Sequence, residues 1–145
     1  MKNAVASYTD CQTCEQTFRL MLQNLHREVL KPLGFRKEGQ NFRLIRHSGI
    51  VSEGYLIQFQ RSVYGDRDHL RFAVNLGVLW VLSANAPVLD KFKLYDCPLD
   101  HQNRLGSLAY GFDKWWEINK EADPSLLEAE IGRLLRETAF PWMGL

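Results

Sequence analysis

Alternating apolar and polar side chains predict several β-strands in the middle of the chain. The clearest alternation covers residues 70–78, where every second position is a large apolar residue. A second run, YLIQFQRS, spans residues 55–62, and a third surrounds residues 42–45. Residues 63–69 separate the first two runs and have the Gly and Asp content of a hairpin connection. These strands are therefore expected to pair as an antiparallel sheet.

Apolar residues at helical spacing predict a helix before the strands. Thr13 stands three residues before Gln16, which is the capping-box pattern of a helix start. The helix is expected to run to about Lys31, because Pro32 and Gly34 then stop it. Residues 1–12 are expected to form a loose leader, and residues 1–145 a single domain.

The C-terminal third is predicted to be helical. Helices are expected over residues 104–110, with Gly111 as the stop, around Trp115 and Trp116, and from Asp123-Pro124 onwards. A helix, then strands, then helices is the order of an α+β domain. We predict an N-terminal helix, an antiparallel sheet of three to five strands, and C-terminal helices on one sheet face.

The other sheet face is expected to carry polar side chains and to face solvent. These side chains share one parity along two neighbouring strands and are Gln58, Gln60, Arg71 and Asn75. Amide and guanidinium groups held at fixed spacing on a rigid sheet suit the recognition of another molecule. We therefore take this face as the leading candidate for a binding surface, the simpler interpretation being a hydrated face.

Composition narrows the choice of partner. The 145 residues hold 18 Lys and Arg against 17 Asp and Glu, for a formal net charge of +1. This balance argues against nucleic acid and against an anionic membrane surface. Phe59 and Phe72 also have the buried parity, whereas an RNA-binding sheet shows aromatics on its open face. The expected partner is another protein.

Three cysteines and the N-terminal sequence bear on the compartment. An odd cysteine count in a chain of this size favours a reducing environment. The first residues lack the apolar run of a signal peptide, and no stretch reaches the roughly 20 apolar residues of a membrane span. The protein is expected to be cytoplasmic.

Metal or redox chemistry is a minor alternative. Cys11 and Cys14 form a Cys-x-x-Cys pair, and Cys97 and His101 are spaced Cys-x-x-x-His, so four ligand types suited to zinc exist. Folding would have to unite the two pairs. A redox motif would want a strand before the cysteines, which is missing. We expect reduced, unligated cysteines and no cofactor.

Catalytic signals are weak. Asp66, Asp68 and His69 could act as metal ligands or as an acid and base, but charged hairpin loops are common without such a role. The chain has no phosphate-binding glycine loop, HExxH or Gly-x-Ser-x-Gly. An enzyme is therefore the less favoured interpretation.

An alternative pocket is suggested by aromatic, basic and imidazole groups in one segment. They are His101, Arg104, Trp115 and Trp116. Aromatic residues at regular spacing more often belong to the core. Arg104 also suits an anchoring role, with Asp96, Asp100 or Asp113 as its partner.

Five ordered segments resemble one known family. They are KPLGFRKEGQNFR, LIQFQRSVYG, FAVNLGV, CPLDHQNRLG and DKWW, at residues 31–43, 56–65, 72–78, 97–106 and 113–116. Together they are similar to the bacterial family called domain of unknown function 4304. The resemblance implies a small α+β cytoplasmic domain and no assigned reaction, cofactor or catalytic residue. Some relatives sit near toxin systems, which implies an immunity-like binding role. Cys11 and Cys14 lie outside the resemblance.

The sequence thus favours a non-enzymatic protein-binding module acting through the polar sheet face. The alternative is a small-molecule-binding protein or enzyme with a pocket near Arg104, Trp115 and Trp116. Self-association through an apolar patch is a third possibility.

Overall fold

The N-terminal helix has the predicted capping box. In a computed structural model, which describes residues 7–145, helix α1 spans Cys14–Leu25. The Thr13 side chain accepts a hydrogen bond from the Gln16 amide, and the Gln16 side chain accepts one from the Thr13 amide. The helix continues through a π-helical turn, His26–Leu30, and a 3-10 turn, Lys31–Leu33. It ends at Gly34, whose φ of 104° favours glycine.

The segment before α1 is ordered where it is described. Residues 1–6 of the expected leader lie outside the described residues. Tyr8–Asp10 form a short 3-10 helix, and the Tyr8 hydroxyl donates to the Glu128 carboxylate. Residues 7–12 therefore correct the expectation of a loose leader, because this hydrogen bond ties them to the C-terminal helices.

Six strands form one antiparallel sheet. They are β1 Arg36–Glu38, β2 Asn41–Ser48, β3 Val51–Arg61, β4 His69–Leu82, β5 Gln102–Arg104 and β6 Trp116–Asn119. The first five lie in the order β1-β2-β3-β4-β5, and β6 also pairs with β4. Since β3 occupies one edge of β4, the two short strands share the other edge. There β5 lies opposite residues 75–77 and β6 opposite residues 69–72.

Helices and 3-10 segments complete the chain. Helix α2 spans Leu105–Tyr110, α3 Pro124–Leu134 and α4 Phe140–Met143, with a π-helical turn at Leu135–Ala139 and 3-10 segments at Ser83–Asp90, Leu94–Asp96 and Leu99–His101. Gly111 ends α2 at a φ of 78°, and the Asp123 carboxylate caps α3, as predicted. The helix predicted around Trp115 and Trp116 is wrong. Pairing with β4 makes this segment strand β6.

The main core lies between the sheet and the helices. One sheet face contributes alternate residues such as Ile57, Phe59 and Phe72, all 0% exposed, and α1 contributes Phe18 and Met21. The C-terminal helices add apolar residues to the same cluster. The helices therefore cover the central part of this sheet face, whereas Trp80 and Leu82 near the end of β4 stay exposed. The predicted α+β class, antiparallel sheet and one-sided helix layer are confirmed.

The second sheet face is half covered, which corrects the expectation that it faces solvent. The segment 83–97 crosses it, and Leu89, Phe92 and Cys97 bury Leu56 of β3 in a second apolar cluster. This segment is anchored by Arg43, whose Nε and Nη2 donate to the Phe92 carbonyl oxygen at 3.1 and 2.9 Å. A buried guanidinium needs such partners to offset its desolvation.

Two strand glycines allow the segment 83–97 to approach the sheet. A Cβ on Gly54 would lie 2.8 Å from both Leu89 and Phe92, and one on Gly77 would lie 2.9 Å from the Cys97 sulfur. Any side chain at these positions would displace the segment. Because Gly54 and Gly77 have no side chains, the residues of the second cluster can pack directly against the sheet at these two positions.

Gly54→Ala is expected to destabilise the protein by about 1–3 kcal/mol, the usual cost of overpacking, because its Cβ would collide with the Phe92 ring. Urea denaturation gives the free energy of unfolding.

Gly132→Ala in α3 is the matched control, since its Cβ would meet no atom closer than 3.6 Å. There a helix favours Ala over Gly by up to about 1 kcal/mol, so the control should be neutral or stabilising. A Gly54→Ala protein as stable as the Gly132→Ala protein would contradict the proposed close packing.

Candidate functional site

The uncovered half of the second sheet face carries a cluster of polar side chains. Gln58 of β3 lies opposite Asn75 of β4, and Asn75 lies opposite Arg104 of β5. Residues just before β6 complete the cluster. We call the following seven residues the polar patch: Gln58, Gln60, Arg71, Asn75, Arg104, Asp113 and Trp115.

Asn75 is the buried centre of the polar patch. It is only 3% exposed, so the expectation that it lies on an open surface is wrong. Its Nδ2 donates to Oε1 of Gln58 at 3.0 Å and to Oε1 of Gln60 at 2.8 Å. Gln58 of β3 and Arg104 of β5 flank Asn75, and its hydrogen bonds offset the cost of burying an amide.

A contact with Arg104 fixes the orientation of the amides. Arg104 Nη2 lies 3.4 Å from Gln60 Oε1, and a guanidinium can only donate hydrogen bonds. The group of Gln60 that faces Asn75 and Arg104 is therefore its oxygen, so Asn75 must donate. Within the described chain, the NH2 groups of Gln58 and Gln60 have no hydrogen-bond partner. Both remain available as donors.

Arg104 also organises the other side of the polar patch. Its Nη1 lies 2.8 Å from each carboxylate oxygen of Asp113. Asp113 is one of the three partners that the sequence suggested for Arg104. The Trp115 indole N–H donates to the same carboxylate at 3.3 Å. The guanidinium carbons of Arg104 and Arg71 lie 5.0 and 5.9 Å from the centre of the Trp115 ring. Both distances are within cation–π range.

The Asp113 carboxylate is held in its charged form. The hydrogen bond from Arg104 lowers the pKa of Asp113 below its ordinary value. Partial burial opposes this change, while the Trp115 hydrogen bond and the Arg104 charge add to it. Asp113 is therefore ionised at neutral pH and neutralises Arg104. Arg71, in contrast, has no ion-pair partner in the described part of the chain.

A hollow of about 420 Å³ adjoins the polar patch. Gln60, Asn75 and Arg104 form one side of it, and the other lining residues are Leu94, Leu99, Gln102, Asn103 and Ser107. Leu99, one of these lining residues, is 88% exposed. These additional residues escaped prediction. The alternation of Gln102 and Arg104 just before a helix start could have indicated strand β5, but three residues are too few to predict a strand.

The predicted pocket of His101, Arg104, Trp115 and Trp116 is divided by the sheet. Arg104 and Trp115 belong to the polar patch, whereas Trp116 is buried on the helix side. There Trp116 stacks on Phe72 and donates to Glu130 at 2.9 Å. His101 lies beside Trp80, with ring centres 5.6 Å apart. The sheet-face and pocket hypotheses thus share Arg104 and Trp115 as one site.

The four possible zinc ligands are not united. Cys14 belongs to the core under the helices and Cys97 to the cluster on the opposite sheet face. Burial raises the pKa of the Cys97 thiol to about 11 and also raises the pKa of Cys14, which disfavours the thiolate that zinc requires. Among residues 7–145, no three His, Cys, Asp or Glu side chains are arranged to hold a metal ion. This also applies to Cys11 and His101, the other two ligands of the zinc hypothesis.

The charged hairpin loop has structural contacts. Asp66 Oδ1 accepts a hydrogen bond from the Asp68 amide at 2.8 Å and lies 3.3 Å from His69 Nδ1. Asp68 forms an ion pair with Lys120 at 3.1 Å. These contacts shape the turn and link it to the end of β6, which is a sufficient role for the three residues.

One Ser–His pair has the wrong polarity for nucleophilic catalysis. Ser83 Oγ donates to the Gly49 carbonyl oxygen, so its single hydrogen is used and Ser52 must donate to Ser83. His47 Nδ1, 2.7 Å from Ser52 Oγ, is then the donor in that pair. His47 therefore does not accept the Ser52 proton, and Ser52 is 0% exposed.

The fold and polar patch define a small α+β domain with an ordered polar sheet face. A family model described as Domain of unknown function (DUF4304) matches residues 26–145, and the chain belongs to that family. Neither a search of the curated proteins nor a search of the solved structures found a match. In the part of the chain that the structure describes, no helix has the length and apolarity to cross a membrane.

The Trp115 indole N–H should report the titration of Asp113. Because Arg104 lowers the pKa of Asp113, the indole resonance should change with a midpoint below the ordinary carboxyl value of about 3.9. The stability from this ion pair is present above the unfolded-state pKa and is lost as pH falls through the lowered pKa. An NMR pH titration measures the midpoint.

Arg104→Gln should move this midpoint upwards towards about 3.9. Arg36→Gln is the control, because Arg36 pairs with Asp90 away from the patch at 3.8 Å. An unchanged midpoint in Arg104→Gln would contradict the assigned ion pair.

Proposed function

We propose that this protein is a non-enzymatic binding module that recognises another protein through the polar patch. The observation that carries the proposal is the buried Asn75 amide, which holds Gln58 and Gln60 so that their NH2 groups stay available. Ordering these side chains before binding reduces the entropy lost on association. A merely hydrated face does not require a buried anchor.

The ionisable groups of the polar patch support binding over catalysis. Arg71 and Arg104 stay charged at any physiological pH. Asp113 stays ionised because its pKa is lowered. A general acid or base instead needs a pKa near the working pH. The patch therefore has fixed charges and donors for recognition, and no group suited to exchange a proton near neutrality.

The expected partner surface is rich in hydrogen-bond acceptors. The patch offers amide donors from Gln58 and Gln60, and Arg71 adds a positive charge without an ion-pair partner in residues 7–145. Carboxylates and backbone carbonyls complement such groups. Exposed Leu99, which lines the adjoining hollow, supplies apolar contact at the margin. An immunity-like role in the bacterial cytoplasm, with an acidic protein as target, is the setting we propose.

A small-molecule function is the second candidate. The hollow of about 420 Å³ beside Arg104 favours it, since ligand sites commonly have volumes of about 300–1,000 Å³. A small polar ligand there would raise the melting temperature, and Arg104→Ala would remove that increase. A protein partner would instead depend on Arg71, which does not line the hollow.

Arg71→Glu is expected to weaken partner binding roughly tenfold or more, because interfacial arginines are frequent hot spots. The partner is first captured from a lysate of the native organism. Its affinity for purified wild-type and variant proteins is then measured by calorimetry.

Arg46→Glu is the matched control. Arg46 and Arg71 are both exposed strand residues that lie opposite a glutamate, Glu53 and Glu117 respectively. Arg46 points to the helix side, so its change should leave affinity unaltered. If Arg71→Glu retains wild-type affinity while folded by circular dichroism, or both variants lose it equally, the proposed surface is wrong.

A further inference from the structure

A second, smaller pocket lies on the helix side of the sheet, away from the polar patch. Its volume is about 220 Å³, and its lining residues are Val78, Trp80, Asp100, His101, Trp142 and Met143. Val78 belongs to the main core, and Trp80 shares its parity along β4. The pocket is therefore independent of the patch and of the function proposed for it.

Aromatic rings form its walls. Trp80 is 61% exposed, although it lies within a long strand, and its ring centre is 5.6 Å from that of His101 at an interplanar angle of 47°. Trp142 of α4 supplies a second, partly buried indole. An exposed tryptophan at the edge of a pocket is typical of binding sites, because a ligand can cover the large apolar surface that would otherwise stay in contact with water.

The charge at this pocket is negative. Asp100 is exposed and has no ion-pair partner among residues 7–145. Glu53, the cross-strand neighbour of Trp80, accepts a hydrogen bond from the Tyr55 hydroxyl and does not line the pocket. Asp100 is therefore the uncompensated negative charge among the residues that line the pocket.

A buried ring nitrogen indicates which tautomer the neutral His101 side chain adopts. Its Nδ1 is fully buried without a hydrogen-bond partner in the described chain. A hydrogen on Nδ1 would be a buried donor without an acceptor, so the neutral ring carries its hydrogen on Nε2. Nδ1 then keeps only a lone pair, and the ring serves as a wall beside Trp80.

We propose that this pocket binds an organic ammonium group. Indole faces attract a cation through their quadrupole, and the Asp100 carboxylate adds a compensating charge. The volume of about 220 Å³ is below the roughly 300 Å³ at which pockets for whole drug-sized ligands begin, so it suits a single head group. The group belongs either to a free quaternary amine or to a methylated lysine of a protein.

The test is an NMR titration of the indole N–H resonances, using choline and its uncharged isostere 3,3-dimethyl-1-butanol. Choline should shift the Trp80 and Trp142 resonances and bind ~3- to 30-fold more tightly than the isostere, the range expected for cation–π attraction. The Trp115 resonance should not move, because Trp115 lies on the other side of the sheet.

Asp100→Asn, a conservative change at an exposed position, should weaken choline binding severalfold and leave the isostere unchanged. A trimethyl-lysine peptide that binds more tightly than choline would assign the group to a protein, and equal affinity would assign it to a free amine. Equal binding of choline and isostere, no indole shift with choline, or full choline affinity in Asp100→Asn would overturn the proposal.

Discussion

The arrangement of this domain depends on the close approach of segment 83–97 to two glycines of the sheet. Gly54 and Gly77 leave room for Leu89, Phe92 and Cys97, and Arg43 fixes the segment by donating to the Phe92 carbonyl oxygen. Beyond these glycines, the strands carry Gln58 and Asn75. Segment 83–97 therefore covers the apolar half of the second sheet face and leaves the polar half uncovered.

The polar half gains order from one buried amide. Asn75 donates to Gln58 and Gln60, Arg104 fixes the orientation of Gln60, and Asp113 fixes Arg104. Each member of this chain of contacts constrains the next, although only Asn75 is buried. Its outward groups are donors and a fixed charge, and these groups are the basis of the recognition role that we propose for this surface.

Local signals predicted much of the fold. The capping box of α1, the alternation in β3 and β4, and the stop at Gly111 depend on neighbouring residues, and all were correct. Strand β6 was assigned to a helix because four residues show no clear period, and its strand geometry comes from pairing with β4.

Long-range contacts account for the remaining errors. The parity of Asn75 was correct, but its burial depends on β5, roughly thirty residues away in the chain. The cover over Gly54 likewise comes from Leu89 and Phe92. For the same reason, Arg104 and Trp115 were placed in a separate pocket, although the sheet joins them to Gln60 and Asn75.

Hydrogen exchange of the side-chain amides, observed by NMR, tests the preformed network most directly. Both Nδ2 hydrogens of Asn75 are engaged and the residue is buried, whereas the NH2 groups of Gln58 and Gln60 have no partner in the described chain. The account predicts that the Asn75 hydrogens exchange much more slowly than those of the two glutamines. Exchange at the same rate in all three residues would contradict a buried anchor and the recognition surface built on it.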